Sequence, residues 1–429
     1  MKKIVVIGGG WSGCAAAATA RKAGANVTLI ERTDMLLGAG LVGGVFRNNG
    51  RYTAAEEMIN LGDDLFKLLD SNVVHKGVEF PGQHHASLYN TRRMEFIVKE
   101  YLYHLGVKIL MPYRVVDIVK EGKKVSGIIA DGMSEVIKGD VFIDATGSSA
   151  VPRNCIKYGN GCAMCIFRCH SFGARVDLLS KVGIECWDAK RADGSTGSMS
   201  GACELVKDSI SPDIVSGLEE KGCVLVPVPA EVKEDISILD TKPCQQYAMK
   251  DYIDNLVILH TGHAKVMVPF FPLENLRKIP GMERARYMDP LAGGKGNSMR
   301  YFGVASCAPT MQALGEVDNL FCAGEKAGTM VGFTEAITTG SLAGHNAVRY
   351  AIGEKLLELP VSLAVGDFIE SSIKKMKEPE GRIYRYTFSG SVYFERMKEK
   401  NLYTLDVKGI TDRVKKTGLS GIFAKNLIE

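Results

Sequence analysis

The sequence lacks the features of several special classes of protein. No stretch reaches the roughly 18 apolar residues that cross a bilayer, and no tract is repeated or compositionally biased. Charge is nearly balanced, with 53 Lys and Arg against 49 Asp and Glu in 429 residues, so net charge alone indicates neither a nucleic acid nor an anionic membrane as partner. We therefore predict a globular, cytoplasmic protein of two or three domains with no membrane partner.

The eleven cysteines are an odd number, which argues against an extracellular disulfide framework and favours reduced cytoplasmic thiols. Four of them follow the spacing C-x6-C-x2-C-x3-C: Cys155, Cys162, Cys165 and Cys169. Such dense thiolates could ligate an iron–sulfur cluster or form a redox dithiol or disulfide, while small buried cysteines in a strand are the alternative. We expect no metal site, because the first spacing is irregular and the paired histidines lack a third ligand.

Glycine is abundant, at 47 residues against 14 prolines, and its most informative cluster lies near the start of the chain. Residues 3–7 are a β-branched run that predicts a buried parallel strand. Gly8-Gly9-Gly10-Trp11-Ser12-Gly13 follows, then an alanine-rich helical stretch and a second strand at 26–30 that ends before Glu31. This order of strand, glycine loop, helix and strand predicts a dinucleotide-binding unit.

Each part of that pattern has its own physical role. Gly8 allows the tight turn, Gly10 lets the backbone approach a pyrophosphate, and Gly13 permits close packing of the helix on the strand. The helix N-terminus offers N–H groups and partial positive charge to the phosphates. Glu31 can accept hydrogen bonds from ribose hydroxyls, which argues against a 2′-phosphate. Because no second such unit follows, we expect no built-in NAD(P)H domain.

The rest of the pattern predicts an α/β fold whose Rossmann-like dinucleotide-binding domain is discontinuous. Short apolar runs typical of strands continue up to Ala145-Thr146-Gly147, and the region that follows is less regular. A clear strand pattern begins again at Asn319 and is followed by a helix from about 335 to 352. We predict a first part of the dinucleotide domain at 1–150, an inserted mixed α+β substrate domain at 151–307, the second part at 308–360, and a C-terminal helical and basic segment at 361–429.

Three blocks together resemble the flavin adenine dinucleotide proteins of the glutathione-reductase type: the glycine loop with Glu31, the Ala-Thr-Gly after a strand, and Ala323-Gly324-Glu325 before a helix. The resemblance implies FAD as cofactor, with Glu325 on the ribityl chain, Val115 at the adenine, and the helix N-terminus facing the flavin pyrimidine. The FAD-binding residues that it predicts are Gly8, Gly10, Ser12, Gly13, Glu31, Arg32, Val115, Ala145, Thr146, Gly147, Gly324, Glu325, Gly332, Phe333 and Thr334.

Blocks in the C-terminal half indicate which group of flavoproteins the chain resembles most. Segments 279–283, 308–310, 319–325 and 340–347 run in the order of the GidA-like tRNA-modifying flavoproteins and their folate-dependent tRNA uracil-5 methyltransferase branch. In those methyltransferases the loop after the second strand carries a catalytic cysteine. Here the corresponding residues 41–46 contain none, which argues against RNA methylation.

We predict an FAD-dependent oxidoreductase that exchanges hydride or electrons with a small-molecule substrate and uses an external reductant. Arg47, Arg300 and Tyr301 flank segments expected near the flavin and are predicted catalytic residues, binding an anionic substrate or stabilising negative charge. Two alternatives stay open: a folate- and FAD-dependent RNA uridine methyltransferase, and a flavin-bearing subunit of a redox complex. The aromatic, basic tail suits either RNA stacking or a lid packed on the core, so RNA, folate and an oligomeric state stay open as well.

Overall fold

The structure is a computed structural model that describes residues 1–148, 168–190, 198–199, 202–241, 245–268, 271–288, 299–300 and 303–428. Its strands are β1 Lys3–Ile7, β2 Asn26–Ile30, β3 Val45–Phe46, β4 Val73–Phe80, β5 Gln83–Tyr89, β6 Lys108–Leu110, β7 Val115–Glu121, β8 Lys124–Ala130, β9 Ile137–Lys138, β10 Val141–Asp144, β11 Cys186–Trp187, β12 Ser198–Met199, β13 Cys203–Leu205, β14 Cys223–Pro227, β15 Asn255–His260, β16 Ala264–Val266, β17 Met299–Arg300, β18 Val304–Ala305 and β19 Leu320–Cys322.

The helices of the described residues alternate with these strands in the first half of the chain and predominate after β19. They are α1 Trp11–Lys22, α2 Gly50–Asn60, α3 Leu65–Asp70, α4 Thr91–His104, α5 Cys169–Phe172, α6 Pro212–Lys221, α7 Asp251–Asp254, α8 Leu273–Leu276, α9 Phe333–Ile352, α10 Ala364–Met376, α11 Ser391–Glu399 and α12 Val407–Lys416. None of the described helices is long and apolar enough to cross a bilayer.

A five-stranded parallel sheet in the order β19-β10-β1-β2-β6 forms the centre of the fold. Its central strand β1 is buried on both faces, as the continuous apolar run of that strand predicts. The edge strand β19 arrives about 175 residues after β10 and pairs with it through Phe142 and Leu320. The predicted α/β fold with a discontinuous Rossmann-like sheet is therefore confirmed.

Helices α1 and α9 pack with their backbones in direct contact. A Cβ added at Gly340 would lie 2.2 Å from the Ser12 carbonyl oxygen, and one at Gly344 would lie 2.2 Å from that of Ala16. Residues four apart share one helix face, so the two glycines form a strip against which the small residues of α1 can lie. The two helices consequently run in the same direction, with both N-termini on the same side of the parallel sheet.

A four-stranded antiparallel sheet, β13-β16-β15-β14, lies outside this central layer. Side chains alternate along its strands: Leu205, Ile258 and Val266 enter a separate hydrophobic core, whereas Val257 and Leu259 pack on the small sheet β3-β5-β4. The sequence pattern did not predict that small sheet, because β4 is largely exposed and interrupted by irregular pairing. The two faces of the antiparallel sheet therefore contact different cores.

The C-terminal segment packs on the dinucleotide domain. Phe368, Phe388 and Tyr393 are fully buried, with ring centroids 4.2 Å apart for the two phenylalanines and 4.9 Å apart for Phe368 and Tyr393. These rings belong to the main core and are not available for base stacking, whereas Tyr384 is 45% exposed. The exact domain bounds at 150, 307 and 360 stay predictions.

Candidate active site

An elongated cavity runs along the carboxyl edge of the parallel sheet, from the loop after β2 to the N-terminus of α9. Thirteen of the fifteen predicted FAD-binding residues line it: Gly8, Gly10, Ser12, Glu31, Arg32, Val115, Ala145, Thr146, Gly147, Gly324, Glu325, Gly332 and Phe333. Gly13 and Thr334 are buried and are not among the residues that line it. Ligands of open parallel sheets bind at this edge, so the cavity is in the expected place.

The glycine loop has a different constraint at each of its three spaced glycines. Gly8 has φ +98°, and a Cβ there would lie 2.6 Å from the Ala145 carbonyl oxygen. A Cβ on Gly13 would lie 1.8 Å from the Gly8 carbonyl oxygen, so this glycine permits the helix to touch the loop. A Cβ on Gly10 would meet no protein atom within 4 Å and would project into open space. That space is where a phosphate could approach the backbone.

The loop leads directly into α1, whose N-terminus has no side-chain cap. The first N–H groups of a helix have no partner within the helix and carry partial positive charge. Gly10 and Ser12 both line the cavity at this point. The N-terminus of α1 is therefore available to an anionic group in the cavity.

Glu31 lies at the end of β2 and is almost fully buried. Its Oε2 accepts from the Gly9 N–H at 2.7 Å, and its Oε1 accepts from the Thr33 N–H at 2.8 Å. Both oxygens are thus fixed, and each retains a lone pair for a ribose hydroxyl. The neighbouring Arg32 donates from Nη1 to the Gly173 carbonyl oxygen at 2.6 Å, which ties this end of the cavity to a later segment.

At the other end, the segment after β19 brings Gly324 against α1. Gly324 has φ +66°, and a Cβ there would lie 2.7 Å from Ser12 Oγ. Gly332, with φ +131°, precedes the first residue of α9, and no side chain caps that helix. Thr334 is fully buried, and among the described residues nothing hydrogen-bonds its Oγ1. A second uncapped helix N-terminus therefore meets the cavity.

A buried ion pair lies beside this second N-terminus. Arg51 of α2 donates from Nε to the Glu335 carboxylate at 3.1 Å, and both side chains are almost completely buried. The Glu335 Oε1 also accepts from Thr387 Oγ1 at 2.7 Å and from the Phe388 N–H at 2.8 Å. A Cβ at Gly332 would lie 2.1 Å from Arg51 Nη2, so glycine is needed there. The pair joins α2, α9 and the C-terminal segment at the cavity wall.

Lys265 supplies a second buried cation at the same end. It is 6% exposed, lines the cavity, and its Nζ donates to the Gly43 carbonyl oxygen. A Cβ at Gly43 would lie 1.9 Å from the Phe333 ring, so Lys265, the 41–43 loop and the start of α9 meet at one place. Neither Arg51 nor Lys265 could be predicted as a site residue from the sequence, because each reaches the cavity only through the tertiary packing of its element, α2 or β16.

The structure places the three predicted catalytic residues differently. Arg47 does not line the cavity; its guanidinium donates to Asp70 at 2.5 and 2.6 Å and to Glu56 at 2.7 Å, which favours a structural role. Arg300 lies in β17, paired with Ser198 of β12, and its side chain lies outside the described part of the chain. Tyr301 also lies outside the described residues. Arg300 and Tyr301 stay predictions.

Cysteine and histidine groups lie apart from the cavity lining as far as the structure describes it. Of the C-x6-C-x2-C-x3-C group, only Cys169 lies within the described residues. His75 Nε2 and His260 Nδ1 are 2.7 Å apart, and burial and the Lys207 charge lower the pKa of His260 to about 4. The described ranges contain no group of three or more Asp, Glu, His or Cys that could hold a metal ion.

The cavity fits FAD on its own geometry. Gly10 leaves open space where a pyrophosphate would approach, an uncapped helix begins at that point, and Glu31 can accept from a ribose. The lining of the cavity includes residues of both this end and the second helix N-terminus, as a dinucleotide with a terminal ring system requires.

Comparison with known proteins gives matches to separate parts of the chain. The family model described as FAD dependent oxidoreductase matches residues 3–153, and the model described as Glucose inhibited division protein A matches residues 251–355. The tRNA uridine 5-carboxymethylaminomethyl modification enzyme MnmG of Chlorobaculum tepidum is 38% identical over 128 residues, which are 29% of this chain and 20% of that enzyme. The match therefore spans a fifth of the length of this curated relative.

Two crystal forms of GidA from Aquifex aeolicus have the same fold. They superpose on 97% of this chain with TM-scores of 0.65 and 0.61 at 18% identity, and the superposition covers 76% and 78% of their chains. The expectation of FAD as cofactor is confirmed by the family matches. Residues 3–153 are thus similar to FAD dependent oxidoreductases, residues 251–355 are similar to Glucose inhibited division protein A, and the chain as a whole has the fold of GidA.

Proposed function

We propose that the protein binds FAD along this cavity and exchanges hydride or electrons with a small-molecule substrate that reaches the Phe333 end. The observation that carries the proposal is the convergence of Lys265, Arg51 and the N-terminus of α9 on that end. Because Glu335 neutralises Arg51, Lys265 and the helix end supply the net positive charge. A flavin bound there supplies the two-electron chemistry.

Different residues along the cavity bind different parts of the dinucleotide. The loop from Gly8 and the start of α1 bind the pyrophosphate, and Glu31 binds the adenosine ribose. Lys265 stabilises negative charge that develops at the far end, where it acts in a largely dry environment and is held in place by the Gly43 carbonyl. Phe333 and Met267 add apolar walls that limit the access of water.

The test is an anaerobic absorbance titration of the purified protein with NADH, NADPH and dithionite in turn. We expect a flavin spectrum that bleaches on reduction, and FAD in the supernatant after denaturation. Gly10→Val should give folded but colourless protein, and Glu31→Ala should retain less FAD. A wild type without flavin, or one that releases FMN, would contradict the proposal.

A second candidate, flavin-dependent modification of RNA, is favoured by the local similarity to an enzyme whose name specifies tRNA uridine. The assay supplies labelled methylene-tetrahydrofolate with unmodified tRNA and ribosomal RNA under reducing conditions. We expect no label in 5-methyluridine, because residues 41–46 carry no cysteine to add to uracil. Labelled uridine, or a strongly salt-dependent RNA complex, would favour this second candidate. Stoichiometric co-purification with another protein would instead favour a subunit of a redox complex.

A further inference from the structure

A buried amide, that of Gln246, lies in the wall of the cavity. Gln246 belongs to the short helical turn Gln245–Tyr247, is 8% exposed and lines the cavity. Tyr247 and Met267 also line the cavity, and both pack against the same hydrophobic cluster. Since Met267 directly follows β16, this turn lies near the end of the strand that carries Lys265.

The C-terminal segment connects Gln246 to the N-terminus of α9. A Cβ at Gly390 would lie 2.4 Å from the Gln246 Cβ, and Ser389 Oγ donates to Gln246 Oε1 at 2.8 Å. Thr387, two residues earlier, donates from Oγ1 to Glu335 in the first turn of α9 at 2.7 Å. The amide therefore lies at the Phe333 end of the cavity, where we place the flavin ring; we call it the ring end.

The number of protons on each group determines the direction of these hydrogen bonds. The Glu335 carboxylate only accepts, so it takes the single proton of the Thr387 hydroxyl. Arg51 Nη2 at 3.0 Å and the Ser389 N–H at 3.2 Å donate to the two lone pairs of Thr387 Oγ1. Among the described residues, Gln246 Oε1 is then the acceptor left for the Ser389 hydroxyl proton. The amide is thereby held with its oxygen toward Ser389 and its NH2 group away from it.

The NH2 group of Gln246 is the part of the amide that this network leaves for a ligand. Within the part of the chain that the structure describes, no hydrogen-bond partner lies against these two N–H donors. Donors that folding buries without a partner are costly, and a ligand with an acceptor atom in the cavity satisfies them. Because Lys265 and the N-terminus of α9 make this end positive, an acceptor that bears negative charge binds best.

We propose that Gln246 is a substrate-binding residue whose NH2 group donates to a carboxylate of the substrate beside the flavin. This inference rests on the proposed function and names its substrate class, a small carboxylic acid with an apolar remainder. The apolar remainder follows from Phe333, Tyr247 and Met267, which line the same cavity. An amide neither gains nor loses a proton near neutral pH, so Gln246 orients the substrate. Ser389 is a positioning residue, because it holds the amide oxygen.

The test measures the binding of carboxylates to the oxidised, FAD-loaded protein through the change that they cause in the flavin absorbance. The probes are acetate, succinate, benzoate and indole-3-acetate, each compared with the primary alcohol of the same skeleton at constant ionic strength. The variants are Gln246→Met, Ser389→Ala and the matched control Gln312→Met. The Gln312 amide donates to the Asp318 carbonyl oxygen at 2.6 Å, and Gln312 is not among the residues that line the cavity.

We expect the wild type to bind at least one carboxylate more tightly than its alcohol. The ratio of the alcohol Kd to the carboxylate Kd should fall about tenfold in Gln246→Met, because a hydrogen bond to a charged group is stronger than one to a neutral group. The ratio should fall less in Ser389→Ala, which keeps the amide but releases its orientation, and should not change in Gln312→Met. A purely structural role of Gln246 would alter both Kd values together and leave the ratio as it is.

Three results would overturn this inference. They are a flavin-containing wild type whose spectrum responds to none of the carboxylates, a wild type that prefers the alcohols, and an unchanged ratio in Gln246→Met. If Gln246→Met failed to fold, an unchanged ratio in Ser389→Ala would overturn the inference in its place. A wild type without flavin would instead overturn the proposed function.

Discussion

At the scale of single residues, Gly10 and Gly13 have opposite surroundings although they lie three positions apart. We expect Gly13→Ala to lower the free energy of unfolding of the apoprotein by about 3 kcal/mol, because its Cβ would collide with the Gly8 carbonyl. Gly10→Ala should change that free energy by less than about 1 kcal/mol, yet weaken FAD binding at least tenfold. Urea unfolding of apoprotein and FAD titration measure the two quantities.

Each of these glycine variants is the control for the other. If Gly10→Ala bound FAD as tightly as the wild type, the open space beside Gly10 would not be the phosphate position. If Gly13→Ala were as stable as the wild type, the contact between α1 and the glycine loop would be looser than the structure describes.

Lys265 carries a prediction about the flavin potential. Lys265→Met keeps the length of the side chain but removes its charge, so negative charge at the ring end is less stabilised and the midpoint potential should fall. For a two-electron couple, each tenfold loss of stabilisation lowers the potential by about 30 mV. Lys207→Met, in the same domain but away from the cavity lining, is the matched control. An unchanged potential in Lys265→Met would contradict the electrostatic role.

The contrast between Arg47 and Arg51 shows the limit of sequence reasoning at this scale. The glycine loop and Glu31 could be placed from the sequence because the whole unit lies within about thirty consecutive residues. Arg47 and Arg51 are four positions apart, and only tertiary contacts decide that the first pairs with Asp70 while the second meets Glu335. Lys265 could not be predicted for the same reason, since only the tertiary packing of β16 shows that its side chain lines the cavity.

At the scale of elements, the Arg51–Glu335 pair holds α2 and α9 together. We expect Glu335→Gln to lower the free energy of unfolding by about 3 kcal/mol, because it removes the negative charge that lies against the buried Arg51 guanidinium. The double variant Arg51→Met with Glu335→Gln should be less destabilised than the sum of the single variants. A double-mutant cycle in urea measures this coupling, and strict additivity would contradict a direct interaction.

Glu57 connects three helices, and its raised pKa predicts that the free energy of unfolding depends on pH. Its carboxylate accepts from the Ala364 and Val365 N–H groups at the start of α10 and from Arg413 of α12, yet burial raises its pKa to about 7. A carboxyl with a raised pKa in the folded state stabilises the protein at low pH, and this contribution fades as pH rises from about 4.5 through 7. Part of the folded-state stability near neutral pH therefore depends on this one proton.

The measurement is the free energy of unfolding of the wild type relative to Glu57→Gln between pH 4.5 and pH 8. The difference should move by about 3 kcal/mol against the wild type as pH rises, as a shift from 4.5 to about 7 requires. Asp63, with a pKa raised by burial to about 6, acts with the same sign, whereas His345, with a pKa lowered to about 3, acts with the opposite sign. Both contributions are the same in the wild type and in Glu57→Gln, so they cancel in the difference between the two proteins. A difference in the free energy of unfolding that does not change with pH would contradict the prediction.

At the scale of the whole molecule, the parallel sheet and its late strand could be predicted, but the second layer could not. The buried strands of the central sheet are continuous apolar runs that local pattern reveals. The outer sheet has short strands, and the β3-β5-β4 sheet has an exposed outer strand whose role depends on contacts with distant residues. Periodicity within a strand cannot report such long-range partners.

The C-terminal segment provides a test at this scale. A chain ending at Glu358 would lose Phe368, Phe388 and Tyr393 from the main core, and Glu335 would lose the Phe388 N–H. We expect this truncated chain to be largely insoluble, or to bind a hydrophobic dye strongly and unfold without cooperativity. Soluble expression, cooperative thermal unfolding and FAD retention are the readouts. A soluble, FAD-binding truncated protein would show that the segment is an appendage.

The late arrival of β19 has a consequence for the newborn protein on the ribosome. Strands β1, β2, β6 and β10 emerge within the first 144 residues, but their partner at the sheet edge ends at Cys322. At ordinary translation speeds of about 5–20 residues per second, the exposed edge of β10 waits roughly 10–35 s for β19. An unpaired parallel edge in that interval can pair with other chains, so chaperones that cover it during synthesis should raise the yield of folded protein.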